Sequence, residues 1–173
     1  MTARAPALLA ALALPAAAQD MSLAFDPAPV DACYASAPPG EAAPACLGEA
    51  SGGCMDASEH GFTTMGMAEC TMLEEEAWDR WLNVAYRALR ADLAGRDAEA
   101  AESALGAGAS REGALVAAQR AWIAFRDAEC GLRWTLDQEG TIRSLSYSGC
   151  QLSFTAARAL ELRDMAGGPG GRP

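Results

Sequence analysis

The residues of this chain best suited to chemistry are its six cysteines. They are Cys33, Cys46, Cys54, Cys70, Cys130 and Cys150. An even number of cysteines in an exported chain is typical of structural disulfides. Six cysteines allow fifteen complete pairings, and spacing alone leaves them open. We favour nearest-neighbour pairing, Cys33–Cys46, Cys54–Cys70 and Cys130–Cys150, since it closes three short loops, each of which would stabilise the fold by about 3 kcal/mol.

A zinc site is the alternative use of these thiols. Zinc-binding cysteines commonly occur as C-x-x-C pairs with histidines nearby. No two cysteines here have that spacing, and His60 is the single histidine of the chain. We therefore predict oxidised cysteines, no metal and no other cofactor.

Residues that could support catalysis are sparse. His60 lies in a Gly-rich stretch with no serine or free cysteine beside it to activate. The carboxylates are spread along helix faces, so no acid–base pair stands out, and no Gly-rich phosphate loop follows a strand. We predict that the protein is not an enzyme.

A segment enclosed by two cysteines is the first candidate for binding a partner. His60 and Phe62 lie between Cys54 and Cys70. A loop that is held at both ends by a disulfide can enter a cleft at low entropic cost. We predict that His60 and Phe62 contact a partner.

A second candidate lies on a long predicted helix, where Gln119 and Arg126 flank Trp122. Trp and Arg anchor many interfaces, which makes these three residues possible partner contacts. Trp at helical spacing is more often part of a core. Arg126 could also pair with Glu161 or Glu129 at the edge of the core, and we favour a structural Arg126–Glu161 ion pair.

The charge of the chain limits the classes of partner. The formal net charge is −10, and the 13 basic residues, all arginines, form no basic run. Nucleic acid and anionic membrane surfaces would repel such a chain. A cationic protein would be attracted to it.

The first 18 residues resemble a cleavable signal peptide. Arg4 precedes an apolar run over residues 7–14, and Ala16-Ala17-Ala18 fits a signal peptidase site. The run is too short to span a bilayer, and Cys33 does not follow a lipoprotein-type cleavage sequence. We predict a periplasmic or secreted protein without a membrane anchor.

Residues 19–69 form a predicted loop-rich lead-in stapled by disulfides. Pro38-Pro39-Gly40 and Ser51-Gly52-Gly53 argue against long regular elements there. We expect only short helical turns in this segment.

Residues 70–166 are predicted to form the helical domain. Thr71 and Glu74 fit a capping box that begins a helix, and Gly95 is expected to end it. A shorter helix follows over residues 96–105. Ser110 is a candidate N-cap for a long helix that ends near Leu136.

The last helix is predicted over residues 147–165, with a disordered tail at residues 167–173. We expect Phe125 and Leu132 to lie on the apolar stripe of the long helix, and Phe154, Glu161 and Met165 to share one face of the last helix. Short connections between the helices predict an all-α fold, a small antiparallel helical bundle.

Three sequence stretches resemble the lysozyme inhibitor LprI-like family of secreted bacterial proteins. They are Leu82-Asn83-x-x-Tyr86-x-x-Leu89, the run of thirteen residues AQRAWIAFRDAEC at 118–130, and Cys150-x-x-x-Phe154-Thr155-x-x-Arg158-x-x-Glu161-Leu162. The resemblance covers residues 54–166. It implies a helical fold with a Cys130–Cys150 disulfide, and a protein that inhibits lysozyme by stoichiometric association.

A functional alternative remains open after this resemblance. The protein could instead be a structural or ligand-binding module of the bacterial envelope that binds wall fragments or another protein and makes no contact with lysozyme. The resemblance favours a cationic lysozyme as the partner. The oligomeric state does not follow from the sequence.

Overall fold

The computed structural model describes residues 23–102 and 108–167. It contains five helices, α1 (Ala28–Ser36), α2 (Glu49–Ala57), α3 (Thr64–Glu102), α4 (Arg111–Leu136) and α5 (Arg143–Met165). These ranges contain no strand, and the predicted all-α fold is confirmed. The predicted signal peptide lies outside the described residues, as does the predicted tail apart from Gly167.

Contacts between side chains show the direction of the long helices. Arg90, in the second half of α3, pairs with Glu112 at the start of α4, at 2.8 Å. Glu75, near the start of α3, instead lies beside Arg126, further along α4. These two helices therefore run antiparallel, as predicted for a small bundle.

The second hairpin joins α4 and α5. The disulfide Cys130–Cys150 ties its closed end, and Gln119 contacts Arg158 further from the turn. This hairpin is also antiparallel, so α3 and α5 run parallel to each other. The most extensive contact between described helices is that of α3 with α5, which build most of the core.

The core is small and rich in alanine. Trp78 is fully buried on α3, in one stripe with Leu82 and Leu89. Buried residues of α5 face this stripe, among them Leu160 and Leu162. Alanines fill the spaces between the large side chains, which lets the helices approach closely.

The three disulfides have nearest-neighbour connectivity, which confirms the favoured pairing. They are Cys33–Cys46, Cys54–Cys70 and Cys130–Cys150. The first closes the lead-in onto α1, the second joins α2 to α3, and the third joins α4 to α5. No free cysteine occurs in the described part of the chain.

The lead-in is more helical than its composition predicts. Helix α2 runs directly through Ser51-Gly52-Gly53. Two contacts from α3 explain this result: Cys70 binds Cys54 covalently, and the carboxylate of Glu74 accepts the backbone amides that begin α2. Tertiary contacts therefore override the weak helix propensity of glycine.

The predicted start of α3 was wrong by two turns. The helix begins at Thr64, and the Thr63 hydroxyl accepts a hydrogen bond of 3.0 Å from the amide of Gly66. The Thr71 hydroxyl lies inside the helix and donates to the carbonyl of Met67. No capping box therefore forms at Thr71.

The predicted end of α3 was also wrong. The helix continues through Gly95 to Glu102 and absorbs the first part of the separate helix expected over residues 96–105; residues 103–105 lie outside the described residues. A glycine inside a helix costs about 1 kcal/mol relative to alanine. The Asp92–Arg96 ion pair, one turn apart and 2.9 Å long, spans the glycine and favours the helical path.

Helix α4 begins as predicted. The Ser110 side chain accepts a hydrogen bond from the amide of Gly113, which confirms the N-cap. Asp97 of α3 adds to this cap, since its carboxylate accepts the backbone amides of Arg111 and Glu112. The end of α3 is thus fastened to the start of α4.

The predicted apolar stripe of α4 was partly wrong. Phe125 and Leu132 are exposed on α4, and Met165 is exposed on α5. α5 begins at Arg143, four residues earlier than predicted. The error arises because α4 packs along one narrow edge, where Leu115 is its large buried apolar residue.

Hydropathy gives no membrane-spanning segment among the described helices. Each helix of residues 23–102 and 108–167 is either too short or too polar to cross a bilayer.

Candidate functional site

The first candidate site is the connection between α2 and α3, residues 58–63, which we call the Phe62 loop. Phe62 is 66% exposed in this loop, and His60 is also exposed. The structure therefore places the two predicted partner residues next to each other on the surface.

Two glycines allow the Phe62 loop to fold tightly against its own base. A Cβ atom on Gly61 would lie 2.2 Å from the carbonyl oxygen of Met55. A Cβ atom on Gly66 would lie 2.1 Å from the carbonyl oxygen of His60. Both neighbours are backbone atoms that cannot move aside, so only glycine fits these positions.

Hydrogen bonds and a disulfide fix the shape of the loop. The Gly61 amide donates to the Ser58 carbonyl at 3.0 Å, and the amide and hydroxyl of Thr63 both donate to the His60 carbonyl. The Cys54–Cys70 disulfide closes the base. The loop therefore presents Phe62 from a rigid frame.

The surface around the loop combines apolar and acidic groups. Met65 is exposed on the first turn of α3, and Met72 follows two turns later. Asp56 and Glu59 are exposed a few residues before Phe62 in the sequence. This surface suits a partner that offers both apolar groups and positive charge.

The second candidate site is centred on Trp122 of α4. The guanidinium carbons of Arg126 and Arg158 lie 5.0 Å and 5.9 Å from the centre of the indole ring. The structure therefore brings Trp122 and Arg126 together as the sequence predicts, and it adds Arg158 from α5. Trp122 is half-buried against the core.

Arg126 belongs to a polar network that joins three helices. Its guanidinium donates to the Thr155 hydroxyl at 3.2 Å, and this hydroxyl donates to the Glu75 carboxylate at 2.9 Å. Arg126 also lies 3.7 Å from Glu75 and 3.0 Å from Asp127. Burial raises the pKa of the Glu75 carboxyl, and the Thr155 hydrogen bond and the charge of Arg126 partly oppose that rise.

The predicted Arg126–Glu161 ion pair is wrong. Glu161 instead accepts a hydrogen bond of 2.7 Å from Arg158, three residues before it on α5. Gln119 accepts from the Nε of the same arginine at 2.9 Å. Arg126 lies further along α4 toward the Cys130 end, where the carboxylates within ion-pair distance are Asp127 of α4 and Glu75 of α3.

Gln119 is buried and makes a structural contact within the bundle. Its carbonyl oxygen is held by Arg158, and its side chain is 6% exposed. Of the three residues predicted on α4 as partner contacts, Trp122 retains some exposed surface, whereas Gln119 and Arg126 act mainly in holding the helices together.

An open groove runs along one side of the Trp122 site and has a volume of about 1400 Å³. Its apolar floor comes from all three long helices, including Leu93, Leu115 and Phe154. Residues 39–42 form one wall, where the Gly40 amide donates to Asp164 at 2.8 Å. The groove is suited to an apolar ligand or side chain.

The two candidate sites are separate. Trp122 lies beside Leu82 of α3, whereas the Phe62 loop ends where α3 begins at Thr64. The rise of 1.5 Å per residue places these two points of α3 about 27 Å apart. His60 and Phe62 therefore lie well apart from Trp122 along α3.

Sequence reasoning missed the buried charges that organise the fold. Glu74 and Arg163 are almost completely buried, and each binds backbone atoms of the lead-in. Glu74 carried a usable signal, because it shares one helical face with Cys70 and Trp78 at steps of four residues. Arg163 donates to the carbonyls of Tyr34 and Ala37, which no local pattern indicates.

In the two described ranges, no three His, Cys, Asp or Glu side chains converge to hold a metal ion.

Comparison with known families decides the classification of this chain. The family model for lysozyme inhibitor LprI matches residues 54–162, from the Cys54–Cys70 disulfide to the end of the α5 core. The chain belongs to the lysozyme inhibitor LprI family. The matched residues include both the Phe62 loop and the Trp122 network.

A relative of this lysozyme inhibitor family member occurs in Rhizobium meliloti. An uncharacterized protein of that organism is 34% identical over 102 residues, which is 58% of this chain and 72% of the relative. No solved structure matches the chain. The family is named for inhibition of an enzyme rather than for catalysis.

Proposed function

We propose that this protein inhibits a cationic lysozyme by stoichiometric association, with the Phe62 loop entering the substrate cleft of the enzyme. Membership of the lysozyme inhibitor LprI family supports an inhibitor-like role. The observation that carries the finer proposal is the exposed Phe62 side chain on a loop fixed by the Cys54–Cys70 disulfide.

The rigidity of the loop bears directly on affinity. Ordering a flexible loop on binding costs about 0.5 to 1.5 kcal/mol for each immobilised side chain. The close fit of Gly61 and the hydrogen bonds of Thr63 hold the Phe62 loop in one shape before a partner arrives. Most of the contact energy of Phe62 is then available to the complex.

The charge of the surface supports the choice of partner. Lysozymes are commonly cationic, and this chain has a net charge of −10. Asp56 lies at the end of α2 and Glu59 within the loop, where they would steer a cationic enzyme toward Phe62. Opposite charges across an interface raise the association rate more than they raise affinity, and salt weakens the effect.

The compartment fits the same proposal. Three disulfides and membership of the family are typical of an extracellular or periplasmic protein. A signal peptide at residues 1–18 would deliver the chain to that space, where lysozyme attacks the wall. We further infer that residues 70–166 form the inhibitor-like domain and that residues 19–69 brace it.

A second candidate function is an envelope module that binds a ligand other than lysozyme. The apolar groove beside Trp122 favours it, because grooves of this size commonly hold small molecules. Fragments of the bacterial wall are candidate ligands. Catalysis is not part of either proposal.

The deciding experiment measures clearing of a wall suspension by several lysozymes in the presence of the oxidised protein. The proposal expects inhibition near equal molar ratio, weakened by high salt. Phe62→Ala and His60→Ala should each reduce inhibition at least about tenfold, a loss of about 1.4 kcal/mol. Leu136→Ala is the matched control, because this residue is 73% exposed at the far end of α4.

The outcomes separate the two functions. If the Phe62→Ala variant inhibits as strongly as the wild type, the Phe62 loop does not contribute to inhibition. If no lysozyme is inhibited, and soluble wall fragments shift the NMR resonances of Leu93 in the groove, the second function replaces the first.

A further inference from the structure

The solvent-facing side of α4 is unusual for an acidic protein, because it carries large apolar side chains and few charges. Phe125 is 55% exposed and Leu132 is 51% exposed, one above the other on the helix. Exposed alanines continue this surface at alternating steps of three and four residues, at positions 114, 117, 121, 124 and 128. We call this surface the α4 face; it consists of these five alanines with Phe125 and Leu132, and it extends from residue 114 to residue 132.

The spacing of the α4 face is that of a helix–helix seam. Apolar residues that repeat every 3.5 positions form a straight stripe that a second helix can follow. The opposite side of α4, with Leu115 and Cys130, already packs on the bundle. The seam therefore remains exposed to solvent in the folded protein, and no described residue of the chain covers it.

We propose that the α4 face binds a second copy of this chain, with the two α4 helices antiparallel about a twofold axis between Ala121 and Ala124. A symmetric contact requires a surface that is complementary to itself. Antiparallel packing about this axis sets Ala121 of one copy against Ala124 of the other. Small residues at the centre allow the two helices to approach closely, at the lower end of the usual 8–10 Å.

The edges of the α4 face are complementary under the same symmetry. On one edge, Phe125 of each copy lies opposite Ala118 of the other, so a large side chain meets a small one. On the other edge, Arg120 lies opposite Asp127 of the second copy. The twofold axis repeats both contacts, which gives two intermolecular ion pairs.

The ion-pair partners are exposed and available. Arg120 is exposed and has no carboxylate within ion-pair distance in residues 23–102 and 108–167. Asp127 contacts Arg126 through Oδ1 and keeps Oδ2 free for another donor. A parallel arrangement would set the edge of Arg120 beside the edge of Phe125 in the second copy, so only the antiparallel one brings Arg120 to Asp127.

The charge of the whole molecule explains why this face would be chosen. Two copies with a net charge of −10 repel each other over most of their surfaces. The α4 face is nearly neutral along its length of about 27 Å. A standard interface buries about 800 Å² on each partner. A single helix face of this length is expected to bury less, so the dimer should be weak and reversible.

Sedimentation of the oxidised protein over roughly 1 to 100 µM tests the proposal. A monomer–dimer equilibrium is expected in this range. Ala124→Glu sets a charge at the centre of the seam and should weaken association at least about tenfold, while an unchanged circular dichroism spectrum shows that α4 still folds. Leu136→Glu, outside the seam, is the matched control and should leave the equilibrium unchanged.

Charge reversal distinguishes this geometry from nonspecific apolar association. Arg120→Asp and Asp127→Arg should each weaken the dimer, and the double variant should restore it. A protein that stays monomeric across the range, or a double variant no better than either single one, overturns the proposal. The result is independent of lysozyme inhibition, which Ala124→Glu should retain, and loss of inhibition would instead assign the face to lysozyme.

Discussion

The Oε2 atom of Glu74 accepts a hydrogen bond of 2.7 Å from the backbone amide of Ser51. The other carboxylate oxygen accepts from the amide of Gly48 at 2.8 Å. Both amides lie at the start of α2, where backbone donors have no partner within the helix. A buried carboxylate on α3 therefore caps a different helix and holds the lead-in against the bundle.

Replacement of Glu74 tests this cap. Glu74→Ala should lower the free energy of unfolding by about 2 kcal/mol or more, because it leaves two amide groups unsatisfied next to the core. Urea denaturation followed by circular dichroism measures the loss. Glu76→Ala, at an exposed position on the same helix, should change stability by less than about 0.5 kcal/mol. Equal effects of the two substitutions would contradict the capping role.

Two glycines should respond to alanine with opposite signs. Gly61→Ala sets a methyl group 2.2 Å from the Met55 carbonyl oxygen and should destabilise the protein by about 1 to 3 kcal/mol. Gly95→Ala adds a methyl group in open space on α3 and should stabilise it by about 0.5 to 1 kcal/mol. Thermal unfolding of both variants gives the comparison. A stable Gly61→Ala protein would mean that the Phe62 loop is not rigid.

Asp97 should make the attachment of α4 sensitive to acid. Hydrogen bonds from the backbone amides of Glu112 and Arg111 hold the pKa of this carboxyl at about 2, below its ordinary value of 3.8. Its folded pKa is the lower one, so its contribution to stability is complete above about pH 4 and is lost as the pH falls toward 2.

The measurement for Asp97 is the midpoint of thermal unfolding between pH 5 and pH 2, compared with the Asp97→Asn variant. The wild-type midpoint should fall more steeply than that of the variant as the carboxyl takes up its proton. Asp56→Asn, at an exposed position near the Phe62 loop, is the control and should follow the wild type. Parallel curves for wild type and Asp97→Asn would refute the assignment.

Removal of two different disulfides should distinguish a loss of stability from a loss of inhibition. Replacing Cys54 and Cys70 with alanine should lower the free energy of unfolding by about 3 kcal/mol and also weaken inhibition, since the base of the Phe62 loop is released. Replacing Cys33 and Cys46 with alanine should cost a similar amount and spare inhibition. Both variants are compared well below their unfolding temperatures. If both lose inhibition equally, the effect is general unfolding rather than loop order.

Local signals predicted part of this fold. The Ser110 cap and the pairing of neighbouring cysteines both depend on residues close in sequence. The residues that cause each of these features lie within the same short stretch of sequence. The Phe62 loop was found in the same way, because the cysteines that enclose it are visible in the sequence.

Long-range contacts account for what the sequence did not predict. Glycines at 52 and 53 argue for a break in local terms, yet Glu74 of α3 keeps that segment helical. The Arg126–Glu161 pair failed for a related reason, because Glu75 approaches Arg126 from a helix about 50 positions earlier. A pattern confined to one helix cannot supply that partner.

The unbroken length of α3 has a thermodynamic consequence. Its 39 residues form a rod of about 58 Å, with the Phe62 loop at one end and Asp97 near the other. Substitutions at such distant points share no neighbours, so their free-energy increments should simply add. Double variants that combine a change at Phe62 with one at Leu93 could therefore be designed from single measurements, and evolution could tune either end of the rod without disturbing the other.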